Sequence, residues 1–319
     1  MRLAQNAVLE GDDGSAVVPS VGVACGRDSL RRMYVIWATV FGIAIFLLVF
    51  KAADPVVLEG LKASASSFLT WAVLATAVTA FACEFIDSTL GMGYGTTLAP
   101  ILLLLGYEPM QVVPAILLSE LLTGITSGLL HHGAGNVSFA RGSRHLHVAL
   151  VLVGCSVLGG VPAAYLASAM PAWTVKGFIG LMVMGVGVVI LTTLNRTYGF
   201  SWVKISGLGL VAAFNKAVSG GGYGPVVVGG QVVSGLEAKS AIGVTSLAEG
   251  IACAAGVGTY ALTAGIDVRL ALPLVVGAMA SVPLAVFSVR AVSARRLRVA
   301  IGVLTIVLGA VTLGKLLWT

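Results

Sequence analysis

The sequence predicts an all-α, polytopic membrane protein: two inverted repeats of about five helical segments each, short discontinuous helices after glycine-rich loops, and one extra N-terminal span. Three observations predict it. The composition is too apolar to keep a water-facing surface. Apolar segments follow one another to the C-terminus. Residues 129 positions apart match each other across the two halves.

The composition comes first. Of 319 residues, 58% are hydrophobic and 10% charged, and the mean hydropathy is +1.01. A soluble domain carries about 25% charged residues. The 41 glycines suit membrane helices that pack closely. The length holds roughly ten spans of about 20 residues, and no polar stretch is large enough for a second, soluble domain. The net charge of +6 does not argue for a nucleic-acid partner, because the basic residues sit mainly in short loops, where they orient the chain in the bilayer. Cys25, Cys83, Cys155 and Cys253 are far apart, with no disulfide or metal spacing, and read as small core residues.

Residues 1–30 are polar and mixed and are expected to be a disordered cytoplasmic tail. Arg27, Arg31 and Arg32 precede the apolar run 33–50. A cleaved signal peptide needs small residues at its cleavage site, and Lys51 stands at the −3 position for Ala53; 31–65 therefore reads as an uncleaved first span and its linker. Apolar segments follow at 66–86, 96–106, 110–131, 146–168, 172–194, 202–218, 225–234, 239–263, 269–289 and 297–317. Segments 96–106 and 225–234 are too short to span: the first covers ~16 Å of a ~30 Å core. Both follow a glycine-rich stretch.

The constant offset superimposes these short segments. Phe85 falls on Phe214, Gly91 on Gly220, Gly93-Tyr94-Gly95 on Gly222-Tyr223-Gly224, Gly106 on Gly235, Glu108 on Glu237, and Glu120 on Glu249. Glutamate is rare here, so chance is a poor account of two pairs of glutamates. The repeats are drawn at 66–194 and 195–319. Three basic clusters, Arg27/Arg31/Arg32, Arg141/Arg144 and Arg290/Arg295/Arg296/Arg298, share one side only if the short segments are counted. Each half then holds an odd number of segments, which inverts the second relative to the first. Inverted repeats with discontinuous helices at matching positions mark secondary transporters.

The chemistry gathers at the loops. The first half reads Asp87-Ser88-Thr89-Leu90-Gly91-Met92-Gly93-Tyr94-Gly95-Thr96, the second Asn215-Lys216-Ala217-Val218-Ser219-Gly220-Gly221-Gly222-Tyr223-Gly224-Pro225. Glycines release the backbone from the helix, and such backbone is tolerated in a membrane only where it is buried in protein or lines a polar cavity. A half-helix starting there aims free N–H groups and a partial positive charge at the bilayer centre, which suits an anion. The competing reading is close helix packing alone. Charges inside spans are functional candidates. Lys216, at the position equivalent to Asp87, either neutralises an anionic substrate or forms a structural salt bridge between the halves. Glu120 and Glu249 lie ~16 Å into their helices, near the midplane, where they carry protons or serve as hydrogen-bonded structural groups. Glu84 reads as partly interfacial. His131, His132, His145 and His147 flank the loop with Arg141 and Arg144 and read as part of a solvated cytoplasmic loop; no ligand spacing among them is diagnostic of a metal. No P-loop, Gly-x-Ser-x-Gly or His-Glu-x-x-His motif supports ATP-driven transport or hydrolysis. No enzyme activity and no cofactor are expected.

An aromatic residue, then Gly-Met-Gly-Tyr-Gly at 91–95, an apolar half-helix, Leu-Gly-Tyr at 105–107 and a long helix with a central Glu120 resemble the TauE/SafE family of sulfite and organosulfonate exporters. The second half carries the Gly-Gly-Gly-Tyr-Gly element at 220–224 and Leu-Glu-Ala-Lys at 236–239. The likeness covers about 66–317. It implies a bacterial inner-membrane permease for sulfite, sulfoacetate or related anions, working without ATP, with its N-terminus in the cytoplasm. The family often has Gly-Gly-Gly in both halves, and Met92 departs from it, which leaves substrate identity open. Direction, coupling and a homodimeric state are open too. The alternatives are a proton-coupled carboxylate permease, a passive channel or a membrane-embedded enzyme.

Overall fold

The structure, a computed structural model, describes residues 35, 37–39, 42, 67–194, 200–289 and 294–318. The expected tail, and most of the expected first span and linker, lie outside these residues. The five described positions near the N-terminus are helical, and the Trp37 indole N–H donates to the Met279 carbonyl at 2.8 Å.

Ten helices follow, with no strand among the described residues. They are α1 (Ser67–Leu90), α2 (Tyr94–Leu104), α3 (Pro109–Gly133), α4 (Arg144–Ala169), α5 (Ala172–Thr193), α6 (Trp202–Ser219), α7 (Tyr223–Val233), α8 (Ala238–Thr263), α9 (Val268–Ser288) and α10 (Ala294–Trp318). Seven of them are long and apolar enough to cross a membrane: α1, α3, α4, α5, α8, α9 and α10. The half-length α2 and α7 have 11 residues each. The chain is thus a polytopic, all-helical membrane protein, as the apolar segments predict. The glycine loops are tighter than expected. Helix α1 continues to Leu90 and α2 begins at Tyr94, so only residues 91–93 leave the helix. Gly91, Gly93, Gly220 and Gly222 all have positive φ, where an L side chain is strained.

Helix starts use local chemistry. Ser143 accepts from the Leu146 N–H at 3.2 Å and Ser201 from the Lys204 N–H at 3.4 Å. Asp267 accepts from the Arg269 N–H at 3.0 Å. The repeated Glu108 and Glu237 are the N-caps of α3 and α8, and Glu108 forms a capping box with Gln111. The two glutamates thus recur at the same place in corresponding helices.

Helix pairing follows a regular scheme. Helix α3 packs on α8 and α5 on α10, while α1 packs on α9 as α6 packs on α4, and α3 meets α9 as α8 meets α4. Exchanging α1–α5 for α6–α10 leaves this set of pairs unchanged. The α5–α10 pair meets the remaining helices largely through α2 and α7. Small residues permit these crossings. A Cβ on Gly124 would lie 2.8 Å from the Gly250 backbone, and one on Gly309 would lie 2.7 Å from the Gly180 carbonyl. At the α1–α9 crossing a Cβ on Gly277 would overlap the Ala77 carbonyl, which cannot move without its helix.

Gly277→Ala is expected to destabilise the protein by about 1–3 kcal/mol through overpacking. Gly154 meets open space, so Gly154→Ala should be neutral or slightly stabilising. Thermal unfolding of the purified protein in detergent checks both; equal midpoints would remove the crossing from the account.

Candidate functional site

The two glycine loops lie against each other, backbone on backbone. A Cβ on Gly95 would overlap the Gly220 carbonyl and approach the Gly221 Cα to 2.9 Å. In reciprocal fashion, a Cβ on Gly224 would overlap the Gly91 carbonyl and approach the Met92 Cα to 3.0 Å. The first turn of each half-helix is pressed on the loop that starts the other. Tyr94 and Tyr223, the first residue of each half-helix, are fully buried. The Tyr94 hydroxyl lies 2.8 Å from Ser119 Oγ, and the Tyr223 hydroxyl 3.3 Å from Ser156 Oγ.

The two N-termini differ electrostatically. Asp87 Oδ1 accepts from the Tyr94 N–H at 3.2 Å, so a carboxylate of the protein itself sits at the start of α2. The start of α7 has no side-chain cap, and its loop is held by the Gly221 N–H donating to Ser219 Oγ at 3.1 Å. Where the first half has Asp87, the second has Lys216. Thr96, in the first turn of α2, is buried with its hydroxyl oxygen unpartnered.

Lys216 closes a buried ion cluster. Its Nζ donates to Glu249 Oε1 at 2.8 Å and also pairs with Glu120 Oε2. Glu120 Oε1 has no hydrogen-bond partner. The structure thus brings together three of the charges singled out in the sequence, from α3, α6 and α8. Asp87 is buried too, but turns to the α2 N-terminus instead of pairing with Lys216. Asn215 is half-buried beside Gly222, outside the ion cluster.

Two residues differ from the sequence expectation. Glu84 is only 2% exposed, because α1 buries this face beside α3. Ser88 Oγ donates to Glu84 Oε1 at 2.6 Å and Thr123 Oγ1 to Glu84 Oε2 at 3.1 Å. His131 is fully buried, not on a solvated loop, because α3 runs on to Gly133 and carries the ring inward. Its Nδ1 accepts from the Asn136 amide at 3.0 Å, leaving Nε2–H to donate to the Ser88 carbonyl at 2.9 Å. Ser127 Oγ lies 3.1 Å from Ser88 Oγ. Asn136, His131, Ser88 and Glu84 thus form a continuous polar chain. The repeat carried a signal for His131: it falls on Tyr260, whose hydroxyl donates to the Ala217 carbonyl at 2.8 Å, and Ala217 is the counterpart of Ser88.

Glu84, Asp87, Glu120 and Glu249 are all buried, and Glu120 and Glu249 share the Lys216 ammonium. Full ionisation would leave an uncompensated negative charge in a low-dielectric interior, which is strongly unfavourable. Among the described residues no group of three His, Cys, Asp or Glu side chains is placed to hold a metal ion.

Comparison with known proteins agrees on class. The family described as "Sulfite exporter TauE/SafE" matches residues 75–312. A Bacillus subtilis (strain 168) protein named "Probable membrane transporter protein YtnM" is 28% identical over 249 residues, covering 72% of this chain and 79% of that protein. No solved structure matches the chain.

Lys216→Met strands two buried glutamates and should lower stability by about 3 kcal/mol. Adding Glu120→Gln and Glu249→Gln should recover most of that loss, since no lone charge then remains. Thermal unfolding across this cycle checks the cluster. Independent, additive losses would mean that the three side chains do not act as a unit.

Proposed function

The chain belongs to the sulfite exporter TauE/SafE family, and from that premise we propose that this membrane transporter is a secondary carrier of a small anion, sulfite, sulfoacetate or a related organosulfonate, working by alternating access. The observation that carries the reading is the crossing of the two glycine loops beside the Lys216 cluster. Two half-helix N-termini meet there without lipid contact, and a sulfonate or sulfite group offers acceptor oxygens for backbone N–H groups and hydroxyls such as Thr96. We place the substrate against Gly91, Gly93, Tyr94, Gly95 and Thr96 of the first loop and Gly220, Gly221, Gly222, Tyr223 and Gly224 of the second. Asn215 borders the site, and Lys216 supplies positive potential.

The two halves, 66–194 and 195–319, are read as inverted repeats. The helix pairings that survive their exchange support that reading, as do the positive-φ glycines recurring at 91/220, 93/222 and 106/235. With the basic clusters facing the cytoplasm, the protein sits in a bacterial inner membrane with its N-terminus cytoplasmic. A membrane potential negative inside then favours anion exit by ~2.3 kcal/mol per charge per 100 mV.

The buried carboxylates favour proton coupling. With Glu120 and Glu249 both ionised, their trio with Lys216 carries a net negative charge that repels an anion. A proton taken up by the trio brings it to zero net charge and removes that repulsion. Anion binding therefore takes up a proton, and affinity rises as pH falls. A coupled carboxylate permease would share this device, so substrate identity rests on the assay.

In proteoliposomes, saturable flux is expected with sulfite and sulfoacetate and not with lactate; lactate flux alone would shift the reading to a carboxylate permease, and no saturable flux would remove it. Methanesulfonate keeps its charge at all working pH values and isolates the protein's own titration. Its half-saturation should fall with acidification in wild type and lose that dependence in the Glu120→Gln/Glu249→Gln double variant. An unaltered pH profile in that variant would end the coupling proposal. Lys216→Ala should weaken binding by about tenfold or more, the magnitude of one charge-assisted contact.

A further inference from the structure

Two cavities open at opposite ends of the antiparallel α5–α10 pair. One, of about 480 Å³, is lined by Leu104 at the end of α2, Glu108 beyond it, Trp173 and Lys176 of the first turns of α5, and Thr312 and Lys315 near the end of α10. The other, of about 40 Å³, is lined by Met92, by Ile190 and Thr193 at the end of α5, by Pro225 and Gly229 of α7, and by Arg298 at the start of α10. Both lie on the seam between this pair and the half-helices. Between them, Met182 of α5 sits against Gly222, and Ile301 of α10 lies nearest Gly93 after Ile86. The seam thus passes the N-caps of both half-helices.

The narrow cavity has a notable lining. Among the described residues Arg298 is the one charged side chain that lines it, and its Nε is buried without a hydrogen-bond partner. Its neighbours Arg295 and Arg296 are exposed, whereas Arg298 is half-buried with its Nε turned inward, a placement that orienting the chain in the bilayer does not require. A buried guanidinium donor without an acceptor is unfavourable unless something supplies one. Met92, on the same wall, is also at the loop crossing. One small cavity therefore joins a cation with an open donor to the place where the anion is read to sit. At about 40 Å³ against about 480 Å³, this end is the more closed of the two.

We propose that the anion travels along the seam between the α5–α10 pair and the half-helices α2 and α7, and that Arg298 receives it at the narrow end. This deepens the anion-transport reading and rests on it. A guanidinium fork matches the paired oxygens of a sulfonate or sulfite better than a point charge does. The α5–α10 pair, joined to the other helices largely through α2 and α7, is the body whose rocking would widen one end and narrow the other.

Methanesulfonate flux in inside-out and right-side-out vesicles tests this. Arg298→Gln should raise the half-saturation at least about tenfold when the anion is offered from the Arg298 face, and leave it unchanged from the other face. Arg298→Lys should fall between. An unchanged half-saturation at both faces overturns the role of Arg298. Gly229→Phe provides a second arm: a Cβ there meets open space, so the side chain starts clear of the facing helices, and its ring plugs the narrow end. It should abolish flux in protein that still inserts and unfolds cooperatively, with Gly229→Ala still active. Undiminished flux through Gly229→Phe overturns the seam, and it decides alone should Arg298→Gln fail to insert. Wild-type flux separates the two readings: its absence defeats anion transport itself, whereas its presence with silent variants defeats only the path.

Discussion

Everything central in this molecule depends on two stretches of backbone that touch. Gly95 against Gly220 and Gly221, and Gly224 against Gly91 and Met92, allow no Cβ between them. Backbone removed from a helix in mid-membrane has unpaired N–H and C=O groups, which lipid cannot satisfy. Here each loop covers the other. The positive-φ glycines shorten the turns to three residues, so the half-helices start deep and bring their N-termini together. Tyr94 and Tyr223, fully buried at those starts, anchor the crossing to Ser119 of α3 and Ser156 of α4.

The charges follow from that geometry. Because α1 and α6 end at the loops, Asp87 and Lys216 ride one turn before them and are carried to the centre. There they take different roles: Asp87 caps α2, and Lys216 joins Glu120 and Glu249. One half is thus electrostatically closed by its own carboxylate, while the other keeps an uncapped N-terminus beside a lysine. The fold is nearly symmetric in its helix pairing and asymmetric in its chemistry. Glu84, bound by Ser88 and Thr123 and linked through Ser88 to His131, extends the polar interior from this centre toward the end of α3.

Much of this was legible in the sequence. Apolar runs located all ten described helices, since a helix in lipid needs little besides length and hydrophobicity. The 129-residue offset located both loops and matched Glu120 with Glu249 at midplane depth. Depth was the readable coordinate. Rotation about the helix axis was not: Glu84 seemed interfacial and His131 solvated, yet both face inward. In a helix bundle surrounded by lipid the outer face is apolar too, so amphipathicity no longer reports which side is buried. For His131 the clue lay in the repeat, where it matches the buried Tyr260.

What the sequence by itself determined is the class and the frame: an all-helical membrane protein of this family, with half-length helices after glycine loops and a handful of charges near the midplane. Tertiary structure alone decided which groups meet. Lys216 pairs with two glutamates from α3 and α8 and not with its positional counterpart Asp87, and Arg298 lines a cavity while Arg295 and Arg296 face outward. The reason is physical. Hydrophobicity and periodicity set how far along a helix a residue lies, whereas partners are set by the rotational phase and crossing point of helices distant in sequence. Here those are set by the close contacts of glycines with the backbones opposite them.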